Sequence, residues 1–338
     1  MSYYQVEFLK ESDMKKATIK DVAREAGVTD ITVSRTYSSP EKVRRDTREK
    51  IMEAAKKLNY IPNNLARAVR GSRGKIIGFI SDDIFNAVYA YVIREVCLRA
   101  EQRGYIIMLF CTNGSKELEK NAVNTLLSYN AAGLIISPCD DGINADNSHL
   151  DIINNTDMKV MQFDRSFSDY FPGIYIDNIH AGKLAASVLD SSVKEILILA
   201  GPVDSKITID RVTGIIKGLK KDINYRVVYT DFTFEKALTI LKSIKNIHDC
   251  NFDAVITLNS PIALAYLDCS NLSQIGAAKI ICIDELPMAR IFGLDYSYVT
   301  HDCKEIAREL IDGIIDYIEN NARPKTKMRK SQIISKKR

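Results

Sequence analysis

Between residues 76 and 283 of this 338-residue chain, short apolar runs alternate with amphipathic stretches, and no other feature restricts the fold so severely. Ile76-Ile77-Gly78-Phe79-Ile80, Ile106-Ile107-Met108-Leu109-Phe110, Gly133-Leu134-Ile135-Ile136 and Val160-Met161-Gln162-Phe163 form a first series. Ile196-Leu197-Ile198-Leu199-Ala200, Tyr225-Arg226-Val227-Val228-Tyr229, Ala254-Val255-Ile256-Thr257-Leu258 and Ile280-Ile281-Cys282-Ile283 form a second. Runs this short and this apolar suit strands covered on both faces, and Tyr89 to Gly104 and Glu117 to Tyr129 between them have helical character. Strand and helix in alternation, in two series, predict two doubly wound α/β lobes with parallel sheets. Such folds bind ligands at the carboxyl ends of their strands, here in a cleft between lobes.

Composition narrows the class further. An apolar fraction of 46% excludes wholesale disorder. No stretch is apolar for long enough to span a bilayer, and the N-terminus carries no secretory-signal pattern, so a cytoplasmic protein without membrane association is expected. The seven cysteines form no C-x-x-C pair. They read as buried reduced thiols rather than disulfides or metal ligands.

The net charge of +4 is unevenly spread. Residues 14–75 hold 16 basic and 7 acidic side chains, residues 322–338 hold 8 basic and none acidic, and residues 76–321 hold 22 basic and 33 acidic. A basic head on an acidic body points to a polyanionic partner. The basic tail reads as a solvated, frayed terminus.

The head is patterned. Thr18-Ile19-Lys20-Asp21 has the form of a capping box, with Ile19, Val22, Ala23 and Ala26 following at helical spacing. Gly27 supplies a sharp turn, and Thr29 can cap a second helix from Asp30 towards Tyr37 that presents Asp30, Ile31, Ser34 and Arg35 outward. A third helix is expected from Asp46 to Leu58. Three short helices bury little surface, which suits a small DNA-reading module. Asn63 to Arg70, between Pro62 and Gly71, is a marginal helix: a frayed linker, or a helix ordered only on DNA.

The run TIKDVAREAGVTDITVSRTYSSPEKVRRDTREKIMEAAKKLNYIPNNLARAVRGSRGKIIGFI resembles the N-terminus of the LacI/GalR family of bacterial transcription regulators. That resemblance implies an N-terminal all-α helix-turn-helix DNA-binding domain and hinge helix, followed by an α/β periplasmic-binding-protein-like domain of two doubly wound lobes. It implies a homodimer or tetramer, with recognition helices in successive major grooves of an operator and hinge helices in the minor groove between them. The implied base-reading residues are Asp30, Ile31 and Arg35, with Thr29, Thr32 and Ser34 beside them and Thr18, Lys42 and Arg44 on the backbone. Arg35 suits bidentate contact with guanine. Asp30 either accepts from a cytosine amino group or caps its helix. Hinge contacts fall to Asn63, Ala66, Arg67 and Val69. Val69 stands where the family usually has a leucine wedge, which predicts a shallower kink.

Residues 76–321 also resemble this family and, through it, the periplasmic sugar-binding proteins. The effector positions so implied are Phe85, Asn86, Tyr89, Asp164, Arg165, Arg211, Phe232, Asn259 and Asp284. Carboxylates, an amide and guanidinium groups can bracket adjacent hydroxyls while an aromatic face covers the C–H side of a sugar ring. By residue type alone, Phe85 and Tyr89 read equally well as core. The family's acidic residue after Asn259 is Ser260 here, so one hydroxyl-clamping carboxylate is missing.

Enzyme signatures are absent from the sequence: the histidines at 149, 180, 248 and 301 lack metal-ligand spacing, and no G-x-S-x-G, P-loop or G-x-G-x-x-G occurs. No catalytic residue, metal or cofactor is therefore expected. The organisation expected is an N-terminal extension (1–16), either an upstream start or a disordered arm, then a DNA-binding domain (17–61) and a hinge and linker (62–74). An effector-binding and dimerisation domain (75–322) and a basic tail (323–338) complete it. The function expected is sequence-specific transcriptional repression with operator affinity set by a sugar or sugar derivative. The alternative is a cytoplasmic regulator with a nucleobase or phosphorylated metabolite as corepressor.

Overall fold

The computed structural model describes residues 17–60, 74–244, 252–269, 278–287, 289, 291 and 293–335, without the Ser38 side chain. The extension 1–16 and the hinge positions Asn63, Ala66, Arg67 and Val69 lie outside these. The chain forms two compact units, Met1–Ser72 and Arg73–Arg338.

In the first unit, α1 (Ile19–Ala26), α2 (Asp30–Ser38) and α3 (Arg45–Lys57) enclose a core of Val22, Ala23, Val33, Ile51, Ala54 and Ala55. The capping box at Thr18 and Asp21 is complete: Thr18 N donates to Asp21 Oδ2 at 2.9 Å, and Asp21 N donates to Thr18 Oγ1 at 3.4 Å. Gly27 ends α1 at φ +66°, a left-handed conformation that a Cβ disfavours. Thr29 then accepts from Thr32 N to start α2.

The second unit has two sheets of the same design. In the first lobe, β1 (Gly74–Ser81), β2 (Ile106–Cys111), β3 (Ala131–Ile136), β4 (Lys159–Phe163) and β5 (Gly173–Ile176) are ordered β2-β1-β3-β4-β5, all parallel. Helices α4 (Ala87–Gln102) and α5 (Lys116–Ser128) flank them. In the second lobe come α6 (Asn178–Ser187), β6 (Glu195–Ala200), α7 (Lys206–Gly218), β7 (Asn224–Tyr229) and α8 (Phe234–Ser243). They are followed by β8 (Ala254–Thr257), α9 (Ser260–Cys269), β9 (Lys279–Ile283) and β10 (Tyr296–Thr300), with sheet order β7-β6-β8-β9-β10. The central strands β3 and β8 are buried throughout, which explains their unbroken apolar runs. Then α10 (Cys303–Asn320) returns to pack on the first lobe.

The tail departs from expectation. Residues beyond 323 are not frayed up to Ser335: β11 (Lys327–Arg329) pairs with β5 and β12 (Gln332–Ile334) with β10, so the tail adds a strand to each sheet. Its charge is used internally, because Glu309 on α10 is almost fully buried and accepts from Lys327 Nζ and Arg329 Nε. The cysteine expectation also needs correction. Among the described residues the thiols are free, but Cys97 and Cys111 are exposed, one on the solvent face of α4 and one on the edge strand β2. The chain therefore crosses between lobes three times, at Asp177, at His301-Asp302 and at Lys330-Ser331, and the crossings run side by side. Among the described residues no helix is long and apolar enough to cross a membrane.

Candidate functional site

The first unit presents a nucleic-acid face. Burial of Val33 turns the opposite side of α2 outward, leaving Ile31 60% exposed with Asp30 and Arg35 exposed beside it. Asp30, in the first turn of α2, accepts from Ile31 N through Oδ1 at 2.9 Å. Among the described residues Arg35 has no acidic partner, and its guanidinium keeps its donors for a ligand. Lys42 and Arg44, at the turn before α3, are exposed as well. Thr18 and Thr29 are exposed but serve as caps, while Thr32 and Ser34 are half-buried.

The second unit brings the carboxyl ends of β1, β4, β7 and β8 and the first turns of α7 around a cavity of about 30 Å³ between the lobes. Its walls hold Asn86, Tyr89, Asp164, Arg165, Arg211, Phe232 and Asn259, seven of the positions implied from sequence. Phe85 does not reach it and is 71% exposed. Asp284 lines a neighbouring cavity of about 380 Å³, with His301, Tyr91 and Cys303.

Backbone strain fixes the two principal carboxylates. Asp164 ends β4 at φ +61° and Asp284 ends β9 at φ +86°, the same place in the two lobes. Left-handed backbone is costly for a residue with a Cβ and clusters at functional positions. Asp164 Oδ2 accepts from Tyr89 Oη at 2.9 Å, and the same hydroxyl lies 2.7 Å from Ser137 Oγ. Burial pushes the Asp164 carboxyl above the usual aspartate range, against the opposing pull of Arg211 and Arg165. It also pushes the Tyr89 phenol far up, so this hydroxyl remains a donor.

Arg165 spans the cleft. Its Nη1 donates to Asp82 Oδ2 at 3.0 Å and to the carbonyls of Pro138 and Cys139 at 3.2 Å. Its guanidinium also lies 5.2 Å from the centre of the Phe232 ring in the opposite lobe. Arg211 on α7 donates through Nε to Asn178 Oδ1 at 2.8 Å and through Nη1 to the Leu258 carbonyl. Asn259 is largely structural: it donates to the Phe232 carbonyl and accepts from Ile262 N, both at 2.9 Å. Buried polar atoms remain unmatched around the cavity, namely Asp82 Oδ1, Asp164 Oδ1 and Arg165 Nε. An unmatched buried polar group costs about 1–3 kcal/mol, which a hydroxyl-bearing ligand recovers.

Several contributing residues escaped sequence reasoning. Asp82 and Asp83 line the cavity directly after β1, and the general placement of ligands at strand carboxyl ends could have found them. Asp141 carried no signal, yet it closes the cleft mouth. Its Oδ2 accepts from Ser205 Oγ at 2.9 Å and from Ile207 N at 3.1 Å, capping α7 from the other lobe. Nor did His301, whose ring joins Asp284 Oδ1 at 3.1 Å to Ser331 Oγ at 2.9 Å across two of the lobe crossings.

Comparison with known proteins agrees with both halves. Residues 18–63 match the model of bacterial regulatory proteins of the lacI family, and residues 77–318 match a periplasmic binding protein domain. The ribose operon repressor of Bacillus subtilis (strain 168) is 28% identical over 88% of this chain and 92% of its own length. The HTH-type transcriptional repressor CytR of Escherichia coli (strain K12) is 24% identical over 90% of each. Among solved structures, the lac repressor dimer bound to operator and the anti-inducer ONPF superposes with a TM-score of 0.72 at 22% identity, covering 95% of this chain and 98% of that one. A helix-turn-helix head and a two-lobed ligand-binding body in one chain define a ligand-controlled DNA-binding transcriptional regulator. The chain belongs to the lacI family of bacterial regulatory proteins.

Proposed function

We propose that the chain is a cytoplasmic homodimeric repressor whose grip on a palindromic operator is set by a neutral polyhydroxylated effector, a sugar or close derivative, held between the lobes. It performs no chemistry on that effector. The observation that carries this reading is the ring of unmatched buried polar atoms beside the Phe232 face. Three carboxylates (Asp82, Asp83, Asp164) outnumber two guanidinium groups (Arg165, Arg211) on the cavity wall, and Arg165 is already committed to Asp82. A phosphorylated metabolite would meet net negative charge, which favours the neutral ligand. The ribose operon repressors among the relatives support the same class.

A cavity of about 30 Å³ has room for a water or two and none for a sugar ring, so entry requires the lobes to part. Effector binding is thereby tied to the interlobe angle. A coupling of about 1–3 kcal/mol between cleft and DNA face changes operator occupancy several-fold or more. On the head, Arg35, Asp30 and Ile31 read bases, and Lys42 and Arg44 set the register on the phosphates.

Calorimetric titration of the full chain with neutral pentoses and hexoses, sugar phosphates, nucleosides and nucleobases tests the reading. A neutral sugar is expected to bind saturably and its phosphate ester not at all. Saturation by a phosphorylated compound or a nucleobase, with neutral sugars silent, overturns the ligand class. Arg211→Ala is expected to blunt the effector response and leave ligand-free operator binding intact. Loss of DNA binding in that variant without ligand would show the site to be misassigned.

A further inference from the structure

We propose that Glu119, Cys139 and His149 form a divalent-metal site of the zinc type on the first lobe, at the foot of the loop that latches the cleft. Glu119 lies on α5, Cys139 in the loop after β3, and His149 in the 3-10 turn Ser148–Asn155. Their ligand atoms all fall within 4.8 Å of one another. His149 Nε2 is 2.7 Å and Cys139 Sγ 3.4 Å from the same carboxylate oxygen, Glu119 Oε2. Thiolate, imidazole and carboxylate together are a donor set of the zinc type, which leaves the fourth position of a tetrahedral centre to a water.

Two physical features favour a cation there. Glu119 is fully buried, and a buried carboxylate needs compensation. A divalent ion balanced by one carboxylate and one thiolate gives a neutral buried cluster. The carboxylate is oriented in advance, because its other oxygen, Oε1, accepts from Cys139 N at 2.8 Å, the kind of outer contact that steers metal ligands. On binding, the Cys139 thiol proton leaves to solvent and the proton that His149 Nε2 shares with Glu119 is given up to solvent, with Nδ1 keeping or taking the one ring proton, so that Nε2 offers its lone pair; no electron changes hands. Ideal metal–ligand distances require His149 Nε2 and Glu119 Oε2 to separate by only about half an ångström.

The position gives the site a consequence. The Cys139 carbonyl accepts from Arg165, and Asp141, two residues on, caps α7 from across the cleft. A metal holding Cys139 therefore stiffens the segment that carries both contacts.

Titration of the reduced full-length chain with Co²⁺, followed by the thiolate-to-cobalt charge-transfer and visible d–d absorption, tests the proposal. One Co²⁺ per chain is expected, displaced by Zn²⁺. The charge-transfer band should vanish in Cys139→Ser and persist in Cys111→Ser, and affinity should fall at least about tenfold in His149→Ala. Zn²⁺ should raise the Tm of the wild type and not that of His149→Ala. No band in the wild type, or a band retained by Cys139→Ser, overturns the proposal. If Cys139→Ser does not fold, the His149→Ala titration decides alone: unchanged affinity overturns the site.

Discussion

Asp164 is held by three neighbours of different kinds: the Tyr89 hydroxyl, the electrostatic pull of two arginines, and a left-handed backbone inherited from the end of β4. Its raised carboxyl pKa, caused first by burial, has a definite sign. The folded state takes up its proton at higher pH than the unfolded chain does. This residue's contribution to stability therefore rises as pH falls from the raised folded value towards the ordinary aspartate range, and is lost as pH rises through the folded value. Asp164→Asn is accordingly expected to keep or raise the Tm at neutral pH, flatten the Tm–pH profile above pH 4, and abolish effector binding. Thermal melts across pH with parallel ligand titration check this, and a lower Tm at neutral pH would contradict it. Asp164 was legible in the sequence through the family resemblance, which implied it as an effector position. Asp141 and Glu119 were not, because their roles depend on residues 66 and 20 positions away, which no local pattern connects.

At the scale of elements, α6 and α7 approach closely through facing glycines. A Cβ on Gly182 would lie 2.2 Å from the Arg211 carbonyl oxygen, and one on Gly214 would lie 2.2 Å from the Ile179 carbonyl oxygen. Backbone cannot yield as a side-chain tip does, so Gly182→Ala forces the helices apart and shifts Arg211 within the cleft. Overpacking of this kind costs about 1–3 kcal/mol, which lowers Tm by about 2–10 °C in a body this size. Differential scanning calorimetry should show that drop together with weaker effector binding; an unchanged Tm would refute the packing argument. Strands with strong apolar runs were legible to within two residues, from β1 and β3 to β6 and β9. The terminal strands β11 and β12 were hidden because basic residues dominate that stretch. What makes it sheet is the buried Glu309 that receives Lys327 and Arg329, a partner visible only in three dimensions.

For the whole molecule, the division of charge separates affinity from specificity. On the proposed reading, contacts from Lys42 and Arg44 to phosphate release counterions, whereas Arg35 reads a base edge. Lys42→Ala and Arg44→Ala are expected to weaken binding about equally on operator and random DNA and each to reduce the slope of log K against log salt by about one. Arg35→Ala is expected to cost about 1–3 kcal/mol on the operator alone. Fluorescence anisotropy at several salt concentrations separates these outcomes, and an Arg35 variant equally weakened on both DNAs would remove it from base reading. The two-lobed plan was legible because alternating runs report βαβ units directly, whereas the lobe crossings lie in polar segments without pattern. Those three parallel crossings, with His301 fastened to Asp284 in one direction and Ser331 in the other, leave the lobes one easy motion. Translation would stretch three covalent tethers at once, but a shared bend strains none of them. On the proposed reading, whatever molecule enters the cleft speaks to the rest of the protein through a single angle, and ligands of quite different shape become interchangeable commands if they set that angle alike.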